Sequence, residues 1–149
     1  EDDPRRSALI YFLDASAAVK RYVREAGSPR VVALFRRGAE IAVSRITYAE
    51  TCSALARAWR AERIVDEERD RALDQLESDF HRFRVVETRR AVVELVRDLV
   101  VRWPLRAYAA VQLASALKVR GEGLAVDFWC SDAALARAAS GEGMRATAV

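Results

Sequence analysis

The chain holds 149 residues, with 25 Lys and Arg set against 22 Asp and Glu and a single histidine. Such a length makes one ordinary domain that can bury about two thirds of the surface its unfolded chain would expose, so neither a disulfide framework nor a structural metal is needed. A hydrophobic fraction of 52%, a charged fraction of 32% and three prolines argue against disorder as the dominant state, and a lone imidazole, His81, excludes most hydrolytic sites built on a histidine base or on several histidine ligands.

In chain order, residues 1–7 are polar and contain Pro4, and are expected as a flexible leading segment or a cloning remnant, with a single domain over 8–149. Ala8–Leu13 is a short apolar run rich in β-formers that stops at Asp14. Ala18, Val19, Tyr22 and Val23 then recur at helical spacing, predicting a helix over Ala15–Val23. Ser28-Pro29 reads as an N-cap followed by proline at the first helical position, opening a helix that runs to Gly38. Ile41–Ser44 is a second strand, and Thr47 opens a helix whose Tyr48, Leu55 and Trp59 share a buried side. Asp66–Phe80 is an amphipathic helix with Leu73, Leu76 and Phe80 on its apolar face. Phe83–Val86 is a third strand, and Thr88 is placed to cap a helix carrying Val92, Leu95, Val96 and Leu99. After Pro104, Leu105–Arg120 forms another helix, closed by Gly121 and Gly123. Ala125–Cys130 is a fourth strand, Asp132–Ala139 a short helix, and Met144–Val149 a final edge strand. Strands alternating with helical stretches predict an α/β protein, three layers deep with a short, mainly parallel sheet.

Of the cations only Lys20 and Lys118 are lysines. Arginine forks match phosphate oxygens, so the composition permits a nucleic-acid partner without requiring one. Cys52 and Cys130 lie in no CxxC pair and read as buried free thiols, which suits a reducing cytoplasm. No apolar stretch approaches the roughly 18 residues of a membrane span, and no signal-peptide pattern is present.

Open parallel sheets bind ligands outside the carboxyl ends of their strands. The acids expected there are Asp14 after the first strand, Glu50 one turn into the helix after the second, and Asp132 just past the fourth. Clustered carboxylates repel one another unless a cation sits among them, and oxygen-only ligands favour a hard ion such as Mg²⁺ or Mn²⁺. Each acid taken alone has a structural explanation: Asp14 and Asp132 stand where N-caps belong, and Thr47-Tyr-Ala-Glu50 matches the capping box. Three acidic caps at one ligand-binding edge are less expected than one. Elsewhere, Asp127 falls inside the fourth strand and reads as structural, His81 ends a charged helix at the surface, and Trp59, Trp103 and Trp129 read as core or interface.

Four blocks of the chain, Ile10-Tyr-Phe-Leu-Asp14-Ala-Ser16-Ala, Ser44-Arg-Ile-Thr47-Tyr-Ala-Glu50, Leu105-Arg-Ala-Tyr-Ala109-Ala-Val-Gln112-Leu-Ala and Phe128-Trp-Cys-Ser-Asp132-Ala-Ala-Leu135, resemble in order those of a PIN domain, best those of VapC-type toxins of bacterial toxin–antitoxin systems. The resemblance implies a compact α/β/α fold, a Mg²⁺- or Mn²⁺-dependent endoribonuclease, a VapB-type antitoxin partner and a homodimer. By position, Asp14, Glu50 and Asp132 match three of the family's acids, with Ser16 and Ser131 placed to support carboxylates or metal-bound water, and Arg45 and Arg106 placed to position RNA phosphates. The fourth acid is expected at position 109, where this chain has Ala109.

Leu105, Ala109, Gln112 and Ala116 share a helix face, so a carboxylate at 109 would point toward the same site as Asp14. A methyl there removes one oxygen ligand, and the nuclease is expected to be strongly impaired. Either the acid was replaced deliberately so that a toxic protein could be produced, or the chain is a naturally degenerate PIN domain that binds RNA or antitoxin without cutting. The surrounding block keeps Tyr108, Gln112 and Leu113, which favours replacement.

Overall fold

The computed structural model describes residues 9–149. The expected leading segment 1–7, and Ala8 of the first expected strand, lie outside the described residues. Five strands, β1 (Ile10–Leu13), β2 (Ile41–Ser44), β3 (Arg84–Val86), β4 (Val126–Cys130) and β5 (Arg145–Ala148), form one sheet in the order β3-β2-β1-β4-β5. Every neighbouring pair is parallel. The helices are α1 (Ala15–Ala18), α2 (Ser28–Arg36), α3 (Ile46–Arg60), α4 (Asp66–Phe80), α5 (Arg90–Arg102), α6 (Ala107–Gly121) and α7 (Ala133–Gly141), with a 3-10 turn over Val19–Arg21.

Alternation along the strands sorts the core onto the two faces of the sheet. Ile10 and Phe12 of β1, with Val126, Phe128 and Cys130 of β4, pack beneath α5, α6 and α7, and the rings of Phe12 and Phe128 stack with centroids 5.5 Å apart. Leu13, Ile41, Val43 and Trp129 face the other way, onto Ala17 and Ala18 of α1 and Val31 and Leu34 of α2. The result is the expected three-layer α/β/α architecture. A smaller cluster of Val23, Leu55 and Ala58, with Ile64, Ala72 and Leu73 against it, holds α3 and α4 as a hairpin beside the 3-10 turn. Gly141 at the end of α7 marks a close approach: a Cβ there would come within 2.2 Å of the Trp103 ring.

Several local expectations are corrected. The helix expected over Ala15–Val23 is α1 followed by the 3-10 turn. Ser28 is already inside α2, preceded by Gly27 in the left-handed region at φ 89°. Arg89 rather than Thr88 precedes α5, and no side chain caps that end. Trp59 leaves the buried side it was expected to share with Leu55: it is 37% exposed, its Nε1 donates to Asp66 at 2.7 Å, and the Arg69 guanidinium lies 4.5 Å from its ring centroid. Leu95 is exposed on α5, and Cys52 is half-buried, whereas Cys130 is buried. Among the described residues, no helix is long and apolar enough to cross a membrane.

Candidate active site

The strand order reverses between β1 and β4, and a crevice opens outside the carboxyl ends of the strands at such a point. Asp14 directly follows β1, and Asp132 lies two residues beyond β4. Glu50 stands in the first turns of α3, the helix that follows β2. Chain connectivity therefore sends all three acids to one edge of the sheet.

Asp14 is 5% exposed and caps α1: its Oδ1 accepts the Ala17 amide at 2.9 Å and the Ser16 hydroxyl at 2.6 Å. The Ser16 oxygen in turn accepts the Ser131 amide at 2.9 Å, which ties the loop after β4 to α1. Asp132 caps α7, its Oδ1 accepting the Leu135 amide at 3.0 Å. Both acids thus have the capping role open to them, and each spends only one carboxylate oxygen on it among the described hydrogen bonds.

Glu50 does not. The residue preceding α3 is Arg45, no side chain caps that end, and Thr47 lies inside the helix. The Thr47 hydroxyl is fully buried and accepts from Gln112 Nε2 at 2.9 Å, and the same amide reaches Glu50 Oε1 at 3.4 Å. The capping box is therefore absent, and the Glu50 carboxylate is held from α6 instead of by its own backbone. Gln112 is 2% exposed, and its Oε1 has no hydrogen-bond partner.

Electrostatics bear most on Asp14. Burial pushes the Asp14 carboxyl up to about 6, against the hydrogen bonds from Ser16 and Ala17, and the charges of Glu50 and Asp132 push it further the same way. Burial also raises the Glu50 carboxyl, opposed by the bond from Gln112. Glu50, Ser16, Val19, Ser53, Arg57 and Tyr108 line a cleft of about 570 Å³ beside this edge. A comparable hollow of about 600 Å³ around Arg60 and Val65, at the turn from α3 to α4, contains none of the three acids in its lining.

The donors fit a divalent ion in kind, since all are carboxylate oxygens of the sort a hard cation takes. They fall short in number. Ala109, half-buried against the main core one turn before Gln112, presents a methyl group, and among the described residues no three carboxylate, thiol or imidazole side chains are drawn close enough to cage an ion as they stand.

The remaining sequence candidates divide. Ser16 is engaged with Asp14, but the Ser131 hydroxyl turns away and donates to the Val149 carbonyl at 2.8 Å, so only its backbone amide serves the site. The Arg45 fork is occupied by Glu87, with Nε 3.0 Å from Oε2 and Nη2 2.5 Å from Oε1, and Arg106 is exposed at the residue before α6. Asp127 is structural, accepting the Thr147 hydroxyl at 2.8 Å and lying 3.4 Å from Arg145 Nε. His81 is exposed at the end of α4. Sequence reasoning missed Arg57 and Tyr108 as cleft residues, although Arg57 follows Glu50 by seven positions and so shares its helix face.

The PIN domain family pattern matches residues 11–128. Two relatives from Mycobacterium tuberculosis, Ribonuclease VapC45 of strain CDC 1551 / Oshkosh and Ribonuclease VapC49 of strain ATCC 25618 / H37Rv, are each 38% identical over 122 residues, covering 81% of this chain and 83% of the relative. Among solved structures, M. tuberculosis VapC20, described as a toxin that cleaves the sarcin–ricin loop, superposes with a TM-score of 0.64 at 18% identity, covering 90% of this chain and 95% of that one. FitAcB from Neisseria gonorrhoeae gives a TM-score of 0.65 at 17% identity, covering 91% and 95%. Parallel sheet, acid-lined switch point and sequence likeness agree, and the chain belongs to the PIN domain family, among its VapC proteins.

Proposed function

We propose that the chain is a metal-dependent endoribonuclease toxin of a toxin–antitoxin system, hydrolysing RNA phosphodiester bonds, in a form strongly impaired by Ala109. One observation carries the reading: Asp14, a buried carboxylate at the switch point, is pushed up to about 6 by burial and further by Glu50 and Asp132. Gathering such charges at one edge costs stability and makes chemical sense when a cation is to be shared among them. The names of the VapC45 and VapC49 ribonucleases support the activity.

Asp14, Glu50 and Asp132 would hold Mg²⁺ or Mn²⁺, with Ser16 fixing the Asp14 rotamer and Gln112 fixing Glu50. When bound, the ion supplies a water of lowered pKa and neutralises charge on the phosphate. An aspartate at 109 would complete the set from α6, and its loss removes on the order of several kcal/mol of transition-state stabilisation. Family membership supports RNA as substrate, a VapB-type antitoxin as partner and a homodimer, and the sequence supports a single domain over 8–149 acting in the cytoplasm. Arg106 remains a candidate for holding RNA phosphates, and Arg45 would have to leave Glu87 to do so.

Restoring the acid tests this directly. Ala109→Asp is expected to raise RNA cleavage at least about a hundredfold in Mg²⁺, with the gain abolished by EDTA. No metal-dependent gain would remove position 109 from the mechanism. A second reading, a degenerate PIN domain that binds RNA or antitoxin without cutting, is favoured by the lack of a preformed ion cage among the described residues. It predicts that Ala109→Asp stays inactive while partner binding persists.

A further inference from the structure

The cleft beside Glu50 carries two side chains that the carboxylate site leaves unexplained. Tyr108, at the second position of α6, stands on the rim with 70% of its surface exposed and no described hydrogen bond to its hydroxyl. A large aromatic gains little from such a position unless something covers its face. Arg57 enters the same cleft from α3. Its Nη1 donates to the Ser53 hydroxyl at 2.8 Å, and no carboxylate pairs with it among the described residues, whereas Arg45, Arg84 and Arg102 each hold one.

Glu50, Ser53 and Arg57 follow one another at i, i+3 and i+7, so carboxylate, hydroxyl and guanidinium line one stripe of α3 over about 10 Å. The stripe thus runs from the acidic end, where a phosphate could approach only beside a cation, to a guanidinium fork shaped for phosphate oxygens. Tyr108, with Val19 and Ala54, supplies the less polar part of the lining. A volume of about 570 Å³ is that of a small-ligand site.

We propose that this cleft is a nucleotide subsite for single-stranded RNA, in which one base stacks on the Tyr108 ring and a phosphate neighbouring the scissile one pairs with Arg57. The proposal rests on the nuclease reading for the position of the scissile bond at the Glu50 end. Bases within a duplex are already stacked on one another and offer no open face, so the subsite selects unpaired RNA.

The test is fluorescence anisotropy with a labelled single-stranded RNA and a duplex of the same length, in Mg²⁺ and again in EDTA, using the chain as it stands. Tyr108→Ala is expected to weaken single-strand binding about tenfold, Tyr108→Phe to leave it unchanged, and duplex binding to be indifferent to both. Arg57→Ala should weaken binding and lower the slope of log affinity against log salt by about one. Both side chains are exposed, so the variants fold, and circular dichroism verifies it. No measurable binding of single-stranded RNA, or the same affinity for Tyr108→Ala as for the parent, overturns the subsite. So does unchanged RNA affinity in variants that lose a VapB-type antitoxin, which would assign the cleft to a protein partner. Failure of the nuclease reading shows up separately, as an Ala109→Asp chain that does not cleave while these binding differences persist.

Discussion

At Asp14 capping and the proposed hold on a metal ion make different demands on one side chain. The cap needs only an acceptor for the Ala17 amide, which an asparagine oxygen supplies as well. The negative charge is what burial, Glu50 and Asp132 penalise, lifting the carboxyl from 3.8 to about 6. Below about pH 4 the folded and unfolded states both hold the proton, and Asp14 contributes nothing to pH dependence. Between about 4 and 6 the folded state binds more protons than the unfolded chain, so stability falls as pH rises; above about 6 the full cost is present. Asp14→Asn removes that cost while keeping the cap. In EDTA it is expected to exceed the parent's stability at pH 7 by about 3 kcal/mol and to converge with it below pH 4, as read by urea unfolding across that range. Parallel pH profiles for the two proteins would mean that the Asp14 carboxyl is not raised in the folded state.

Among elements, the 3-10 turn after α1 is too short to hold itself and is fastened from outside. Asp79, in the last turn of α4 and 3% exposed, accepts Arg21 Nε at 2.7 Å, the Tyr22 hydroxyl at 2.6 Å and Gln75 Nε2 at 2.8 Å. Burial and the negative end of the helix dipole both disfavour this carboxylate, yet its three donors hold it below the usual carboxylate range. Asp79→Ala would strand the Arg21 charge and the Tyr22 hydroxyl, and is expected to cost about 3 kcal/mol in urea unfolding, with Asp79→Asn costing less. An unchanged midpoint would show that the hairpin is held by the Val23–Leu55 packing alone. Since Val19 of the same turn lines the cleft, this clasp also sets one wall of the site. Elements of this kind were unevenly legible. Asp66–Phe80 and Ile41–Ser44 could be read to the residue, because strong periodicity or a compact apolar run is bounded by turn residues. Trp59 could not, because its apolar period points inward while Arg69 and Asp66, from the next helix, give it partners at the surface. The Thr47–Glu50 capping box was misleading for the same reason: Gln112, 65 residues from Thr47, takes the hydroxyl that the local pattern reserved for the backbone.

For the molecule as a whole, an all-parallel sheet sends the carboxyl end of every strand to one edge, and that connectivity is what let Asp14, Glu50 and Asp132 be assigned to that edge from the sequence. What spacing could not supply was the set of cleft walls, which come from α1 with its 3-10 turn, from α3 and from α6, stretches far apart in the chain. The N-termini of α1 and α7 both meet this edge, each with an acid as its cap, so the local amides offset part of the charge the edge collects. A fourth carboxylate tests how nearly that balance is exhausted. Ala109→Asp adds a charge at a half-buried position that the proposed function places toward Asp14, Glu50 and Asp132, so in EDTA at pH 7.5 it is expected to unfold at lower temperature than the parent, by an amount equivalent to about 1–2 kcal/mol. Mg²⁺ that binds only the folded state returns RT ln(1 + [Mg²⁺]/Kd), about 2.7 kcal/mol at a hundredfold excess over Kd, which more than reverses the loss. The parent, with one oxygen donor fewer, should gain much less from the same addition. Thermal scans of both chains with and without Mg²⁺ read the difference without any RNA present. Equal Mg²⁺ shifts in the two would mean that position 109 does not face the carboxylates, and that the impairment assigned to Ala109 has another cause.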